Sequence, residues 1–573
     1  MSTTPYTPAA RCTSAAERAR HGALQVLLRC WLRETGQAVA APGPVRVDLP
    51  ATGLTLVAEV SRSSPSGAHE ITRCLDTGGR SLDLDEVARA LTREATARAG
   101  LADEQAADAF GRIVESARRS AAYADARAEH PAAPEELPHW LAAEQGLIAG
   151  HPWHPMTKSR DGLPDEEDAR YAPEARGRVR LHWYAAAPHV VADDSTGVDV
   201  AALMRRLSGD LDVPQGRVLV PAHPWQAARL ADRPGAARLL EDGDLLELGP
   251  SGPPWWATSS LRTMARPDAD VMLKLSLGLR VTNSRRENLR SELELAVRTA
   301  NLVDAGLAGL LAAAHPGFRL VRDPAWIGVD GPDGPIGLDT VVREQPFASG
   351  DDVWCAGALV DARPDLGEPV AARLVRGLSA RRGLPLAEAT SLWFLRWLEA
   401  VAEPLLWLHG TCGIGLEAHL QNVLVGLDPD GLPDRGWYRD NQGWYAAASR
   451  TPWLERLLPK LGDGVPLVFD DALVTERLVY YLGVNHLLGV VSALAGAGLA
   501  AEEDLLRLLA GFLARHALGQ SPSPAARMLL ESPTLQVKAN LLTGVDGRDE
   551  LAGSVEAQSV YVSVPNPLLE VPR

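Results

Sequence analysis

Gly415-Leu416-Glu417-Ala418-His419-Leu420-Gln421-Asn422-Val423-Leu424-Val425 is followed, beyond the turn Asp428-Pro429-Asp430-Gly431-Leu432-Pro433, by Arg439-Asp440-Asn441-Gln442-Gly443. An apolar run, a Pro/Asp/Gly cluster and a second run read as a β-hairpin. A turn centred near Gly431 places Asn422 roughly opposite Asp440. An amide and a carboxylate side by side at a strand end, with Glu417 just upstream, make a cradle for a hard cation and a phosphate chain. The stretch therefore points to a nucleotide.

The rest of the chain must supply cations for such a ligand. Leu273 to Thr282 alternates apolar residues at odd positions with Lys274, Ser276, Gly278, Arg280 and Thr282. A period of two predicts one strand with Lys274, Arg280 and Thr282 on one side. Ser284 and Glu287 have capping-box spacing, predicting a helix from there to about Ala314 with Arg286 in its first turn. A cation there is unfavourable unless an anion binds the helix N-terminus. The alternative is a solvated face with surface ion pairs. Thr258-Ser259-Ser260-Leu261-Arg262-Thr263 adds hydroxyls and an arginine as a candidate second clamp.

Gly150-His151-Pro152-Trp153-His154-Pro155-Met156-Thr157-Lys158-Ser159-Arg160 is a Pro-stiffened loop. Its prolines forbid a helix that would align His151 and His154 for zinc, and no cysteine is near, so an anion contact fits better. His223 reads as structural, packed beside Trp225. No P-loop, GxGxxG, His-Glu-x-x-His or Gly-x-Ser-x-Gly motif is present.

Bulk properties bound the reading. The 573 residues exceed one core and imply two or three subdomains. A net charge of −16 disfavours general nucleic-acid binding. Five scattered cysteines without a CxxC argue for a reducing compartment, against disulfides and against metal–thiolate sites. Met1-Ser2-Thr3-Thr4-Pro5 leads into no apolar segment, and the most apolar helical stretch, Leu392–Trp407, is short and charged. The expectation is a cytoplasmic protein with no membrane partner. Helix is predicted at Ala15–Glu34, strands at Val45–Leu49 and Leu54–Val60, helix across 82–129, and mainly helices from the hairpin to about Ala517.

The motifs GHPWHPMTKSRDG, SSLRT, KLSLGLRVTNSRR, EAHLQNVLV and RDNQG stand in one order over residues 145 to the C-terminal Pro-Asn-Pro. In that order the chain resembles the NRPS-independent siderophore synthetases, the aerobactin synthetase-like IucA/IucC family. The resemblance implies an α+β fold likened to a cupped hand: an α/β thumb (1–145), a fingers region (146–383) and a palm (384–573). It implies ATP and Mg²⁺, a carboxylic acid such as citrate, an amine or hydroxyl nucleophile, adenylation with release of pyrophosphate, and a homodimer. By motif, His151, Lys158, Ser260, Arg262, Lys274 and Arg286 would hold the phosphates. Glu417, Gln421, Asn422 and Asp440 would address the nucleotide, with Glu417, Asn422 and Asp440 on the metal. Thr282, Arg286 and His419 would face the carboxylate, with Arg286, His419 and Lys274 carrying catalysis. Family members often carry a C-terminal stretch resembling ferric reductases; here the paired cysteines of an iron–sulfur cluster are missing, so iron reduction is not expected.

Two rivals remain at this stage. The Glu417-to-Asn422 spacing mimics a kinase catalytic loop, with Asp440 as the later metal-binding acid. A non-catalytic anion- or metallophore-binding protein is the other. Lys538 and Asn540 are expected on a late helix in a surface role, with a second substrate pocket as the alternative.

Overall fold

Ser14 Oγ accepts from the Glu17 amide (3.1 Å) while Glu17 Oε2 accepts from that of Ser14 (3.1 Å). This capping box starts helix α1, Ala15–Glu34, as the sequence predicts. The computed structural model describes residues 14–440, 442–519, 521–547 and 559–570. Strands β1 (Gly43–Leu49), β2 (Leu54–Arg62), β3 (Glu70–Asp76) and β4 (Ser81–Leu82) form a sequential antiparallel sheet. The 82–129 region is two helices, α2 (Leu84–Ala99) and α3 (Asp103–Glu129), parted at Gly100, whose φ of 65° caps α2. Leu27, Trp31, Ile71, Leu91 and Ile113 share one core, which Leu541 and Val545 complete from the far end of the chain.

A second core lies on an antiparallel sheet running through Val271–Leu275, Thr340–Glu344 and Ala325–Gly331. A third, the largest, wraps a helix spanning 386–412 and a helix spanning 471–496 around the Val423–Leu427/Pro433–Arg439 hairpin. Both helices contain π-segments, Val479–Leu487 in the second. Such a bulge displaces side chains from the ordinary helical stripe and is frequent at functional sites.

Three expectations are corrected. The 273–282 run is two strands, Val271–Leu275 and Leu277–Val281, in different sheets. At the break the Ser276 amide donates to Asp339 O (2.9 Å) and its Oγ accepts from the Asn288 amide (3.0 Å). Apolar alternation survives such a break, so periodicity does not reveal it. The helix starts at Arg290, not after Ser284, because Ser284–Arg286 pairs back on Leu277–Val281. Asn288 fixes that geometry by donating to Lys274 O and Asp339 O (both 2.9 Å), and Glu287 pairs with Arg233. Arg286 therefore sits on a β-ribbon. In the hairpin, the Arg439 amide donates to Asn422 O (2.9 Å) and Val423 faces Tyr438, so Asn422 lies opposite Arg439 rather than Asp440. The turn closes between Asp428 and Leu432, and an irregularity beside Gly426 adds one residue to the second strand.

Two helices, Arg290–Ala314 and Asp471–Gly496, are long and apolar enough to cross a membrane by length and composition. The second, not Leu392–Trp407, is thus a stronger apolar segment, and 89% of its apolar window is buried inside the protein. Cys30, Cys74, Cys355 and Cys412 are free and buried. Cys12 lies outside the described residues.

Several histidines are locked neutral. His486 Nε2 accepts from Trp397 Nε1 (3.0 Å), and its Nδ1 donates to Ala418 O (2.9 Å). A second ring proton would face an N–H. Burial lowers His486, His409 and His69 to about 4, and His151 and His223 to about 3, from 6.5. His223 is structural as expected, capping a short helix by accepting from the Trp225 amide, but its ring packs on Tyr171 (4.9 Å). Below pH 6.5 the unfolded chain binds protons at these rings and the folded chain does not, so stability falls as pH falls through that window. Burial raises Glu34 and Asp339 to about 7, which acts in the opposite direction, but five rings oppose two carboxyls. Tm is expected to decline between pH 6.5 and 5, and His486→Gln, which can still accept and donate, should flatten the decline. A Tm rising over that interval on scanning calorimetry would contradict this balance.

Candidate functional site

All twelve site residues named from the sequence line a single cavity of about 1120 Å³. Segments distant in the chain are brought there by backbone pairing. The Thr282 amide donates to Ser159 O (3.1 Å) and the Asp161 amide to Arg280 O (3.0 Å), which ties the histidine loop to the cationic ribbon. Arg439, buried, pairs with Glu144 (2.7 Å) and donates to Ser259 Oγ and Gln421 O (both 3.0 Å). It joins the hydroxyl loop to the hairpin.

Lys274 and Asp440 form an ion pair at 2.9 Å, both largely buried, and Arg343 reaches the same Asp440 oxygen at 3.4 Å. Burial pulls the Lys274 ammonium below its ordinary range, although Asp440 opposes the shift. Arg262 donates to Asn288 Oδ1 (2.5 Å) and is lowered to about 10 by burial and then by Arg286. Arg262, Lys274, Arg286 and Arg343 thus face one volume, a repulsive arrangement that an anion would relieve. Arg286 Nη2 donates to Thr282 Oγ1 (2.8 Å) and Val281 O (3.1 Å). Thr282 holds φ 58°, an uncommon conformation for a β-branched residue and a mark of local strain.

On the opposite wall, His419 Nδ1 accepts from the Gln421 amide (3.2 Å). Burial lowers its pKa, so at neutral pH the ring is uncharged with its proton on Nε2 as a donor. His151 is neutral for the same reason; its Nδ1 accepts from the Trp153 amide (3.1 Å) and its Nε2 lies 2.6 Å from the Asn485 amide. Uncharged, the ring can meet a phosphate only by hydrogen bonding and not as an ion pair. Lys158 donates to Glu174 (2.6 Å) and Leu147 O (2.6 Å), so its ammonium braces the loop. Gln421 Nε2 donates to Ser259 O (3.1 Å), and the Ser260 amide to Thr258 Oγ1 (3.3 Å).

Glu417 accepts from Tyr445 OH (2.5 Å), and Asn422 Nδ2 donates to Glu417 O (3.1 Å), which turns the amide oxygen of Asn422 the other way. A Cβ on Gly443 would lie 2.4 Å from Glu417 Cβ, so only glycine lets that strand approach. Two carboxylates and an amide oxygen fit Mg²⁺, which takes few protein oxygens and completes its shell with water and phosphates. Among the described residues no cluster of three or more His, Cys, Asp or Glu side chains is poised to hold a metal. The magnesium reading therefore requires the phosphates as well.

Lys538 ends the strand Thr534–Lys538 and Asn540 opens the following helix; both line the cavity, which corrects their surface assignment. Lys538 lies over the Tyr481 ring (5.6 Å) and Asn540 Nδ2 donates to Trp153 O (2.8 Å). Arg343, Tyr445, Tyr481 and Asn485 escaped the sequence reading. Arg343 alone carried a signal, a cation within the apolar strand Thr340–Glu344.

Residues 139–361 match the IucA / IucC family, and residues 391–553 match a family described as ferric iron reductase FhuF-like transporter. The latter segment holds one cysteine, Cys412. The chain is 38% identical to the rhizobactin siderophore biosynthesis protein RhbC of Rhizobium meliloti over 76% of each chain. It is 32% identical to a spermidine-citrate ligase of Bacillus anthracis, over 96% of this chain and 98% of the relative. The solved structure of ATP-bound aerobactin synthetase IucA from Klebsiella pneumoniae superposes with a TM-score of 0.85 at 26% identity, covering 96% of this chain and 99% of that one. The chain belongs to the IucA/IucC family and is an enzyme of the acid–amine ligase class.

Proposed function

We propose that this enzyme uses ATP to adenylate a carboxylate of citrate or a related polycarboxylic acid, releasing pyrophosphate, and then passes the acyl group to an amine or hydroxyl, releasing AMP. The observation that carries this reading is the Lys274–Asp440 ion pair (2.9 Å) inside the one cavity that also holds Arg262, Arg286 and His419. Named relatives that ligate citrate to amines, and an ATP-bound structural neighbour, support it.

Adenylation brings a carboxylate in line with the α-phosphorus, so two anions must meet while charge builds on pyrophosphate. Lys274 and Arg262 would neutralise the phosphates, Lys274 exchanging Asp440 for a phosphoryl oxygen. Mg²⁺, when bound by Glu417, Asn422 and Asp440 together with phosphate oxygens, supplies further charge neutralisation. Arg286, steadied by Thr282, would grip the attacking carboxylate, and His419 Nε2–H would donate to it or to a phosphoryl oxygen. His151, Ser260 and Gln421 would contact the nucleotide, with Lys158 acting through the loop it braces. In this reading residues 1–145 form the thumb, 146–383 the fingers and 384–573 the palm of a cytoplasmic homodimer.

The test is a product assay with ATP, citrate and a panel of amines. AMP and pyrophosphate are expected. ADP would instead indicate a kinase-like phosphotransferase, and lack of ATP binding by calorimetry a non-catalytic binder. Thr282→Gly separates strain from chemistry. Relief of about 1–2 kcal/mol of left-handed strain offsets the roughly 0.4–1 kcal/mol of added unfolded-state freedom. Tm should hold or rise while citrate-dependent ATP/pyrophosphate exchange falls about tenfold or more, because the hydroxyl that holds Arg286 is gone. Unchanged exchange would remove Thr282 from the carboxylate site.

A further inference from the structure

The cavity is longer than the phosphate site requires. One face of the 471–496 helix, through Tyr481, Asn485, Gly489, Ser492 and Gly496, forms a wall that runs away from His151 and His419. From Asn485 to Gly496 it extends about 16 Å at 1.5 Å per residue. Helix α1 supplies the facing wall, and both walls are floored by small residues: Gly22 has open space at its Cβ position, and at Gly496 the nearest atom is Arg62 Nη2, 3.5 Å away.

Charge distinguishes the far end of this trough. Arg18, Arg29, Arg62 and Arg376 line it against Glu70 and Glu368, although the protein as a whole is acidic. Arg62 is engaged by Glu502 (3.0 Å), and Glu368 by Arg373 and Arg376. Arg29 differs. Its guanidinium donates to His69 O (2.6 Å) and Gln25 Oε1 (3.0 Å), and no carboxylate of the described residues lies within ion-pair distance. Burial first, and then Arg62, push it down to about 10, while Glu70 opposes. A guanidinium held among neutral acceptors beside a second arginine is stabilised when an anionic or acceptor-rich group arrives.

We propose that Arg29, with Arg62, recognises the far end of the nucleophile, and that this end is an acceptor group, a carboxylate or an N-hydroxy-amide, rather than a second ammonium. The proposal rests on the acyl-transfer reading above, since it places the reacting amine at the inner end, near His419. The lobe then discriminates between nucleophiles that share an amine but differ at the other terminus. A terminal ammonium would meet the Arg29 guanidinium, which no described carboxylate pairs, beside an Arg62 already held by Glu502, whereas an acceptor would receive charge-assisted hydrogen bonds from Arg29.

The test compares amines of equal chain length with citrate and ATP: 6-aminohexanoate, an N-acyl-N-hydroxy-diamine, and 1,5-diaminopentane, with spermidine as a longer polyamine. One or both acceptor-ended amines should show a KM about tenfold or more below the diamine. Arg29→Gln should erase that difference and Arg29→Glu reverse it. Which acceptor-ended amine is preferred separates the carboxylate from the N-hydroxy-amide. A wild-type preference for diaminopentane or spermidine, or an Arg29→Gln change that is equal for all amines, would overturn the proposal. Citrate-dependent ATP/pyrophosphate exchange, which needs no amine, tests the underlying reading separately. Calorimetric binding of the same amines to the full chain tests the lobe even if exchange fails, with loss of acceptor-ended binding in Arg29→Gln as the expected result.

Discussion

Arg286→Ala is expected to cut citrate-dependent ATP/pyrophosphate exchange by about 10²–10³, the loss seen when one preorganised donor to a developing charge is removed. The protein should stay folded. Arg286 is half-buried on the β-ribbon, where it donates to Thr282 Oγ1 and Val281 O, and the ribbon is held by backbone pairing that the truncation leaves intact. His419→Ala should produce a comparable loss, through removal of the Nε2–H donor rather than of a charge. Exchange within about fivefold of wild type in either variant, a difference of roughly 1 kcal/mol in barrier, would contradict the roles assigned to them.

The second large effect separates charge pairing from catalysis. Lys274→Met should lower exchange by about 10²–10³ with a modest change in Tm, because Asp440 keeps Arg343 as a partner. Asp440→Asn should be worse for folding. It leaves the Lys274 ammonium buried beside Arg262 and Arg343 without its carboxylate, an imbalance that costs roughly 3–5 kcal/mol when a buried partner is deleted. The double variant Lys274→Met/Asp440→Asn should therefore recover Tm relative to Asp440→Asn while remaining inactive. Arg343 is held meanwhile by Asp323 at 2.6 and 2.7 Å. Equal Tm in the single and double variants would show that the pair carries no such burden.

Local chemistry was legible wherever the interaction partner was near in sequence. Ser14 and Glu17 announced helix α1. Asp428 announced the hairpin turn, its Oδ1 accepting from the amides of Asp430 (2.8 Å) and Leu432 (2.9 Å). The residue types of the site, cations from the middle of the chain and oxygen donors from its last third, were also readable, because binding a phosphate chain demands them. Readings failed where a distant contact overrode a local pattern. Asn288, by bonding to Lys274 O and Asp339 O, cancelled the helix that Ser284 and Glu287 proposed. The hairpin turn centres on Asp430 rather than Gly431, so even with the residue added beside Gly426 Asn422 meets Arg439 and not Asp440. Lys158, expected on the phosphates, is paired with Glu174, a residue sixteen positions away.

From its sequence alone, then, this protein determined its family, its secondary structure in the long periodic segments, and an inventory of groups suited to an anionic, magnesium-bearing substrate. Tertiary structure decided which of those groups are charged and which are already paired. It set Lys274 against Asp440 across 166 positions of chain, made His151 and His419 neutral, and left Arg29 without a carboxylate partner among the described residues. The reason is that burial and the nearest opposite charge fix the state of a titratable side chain, and both are properties of three-dimensional neighbours that no local pattern contains.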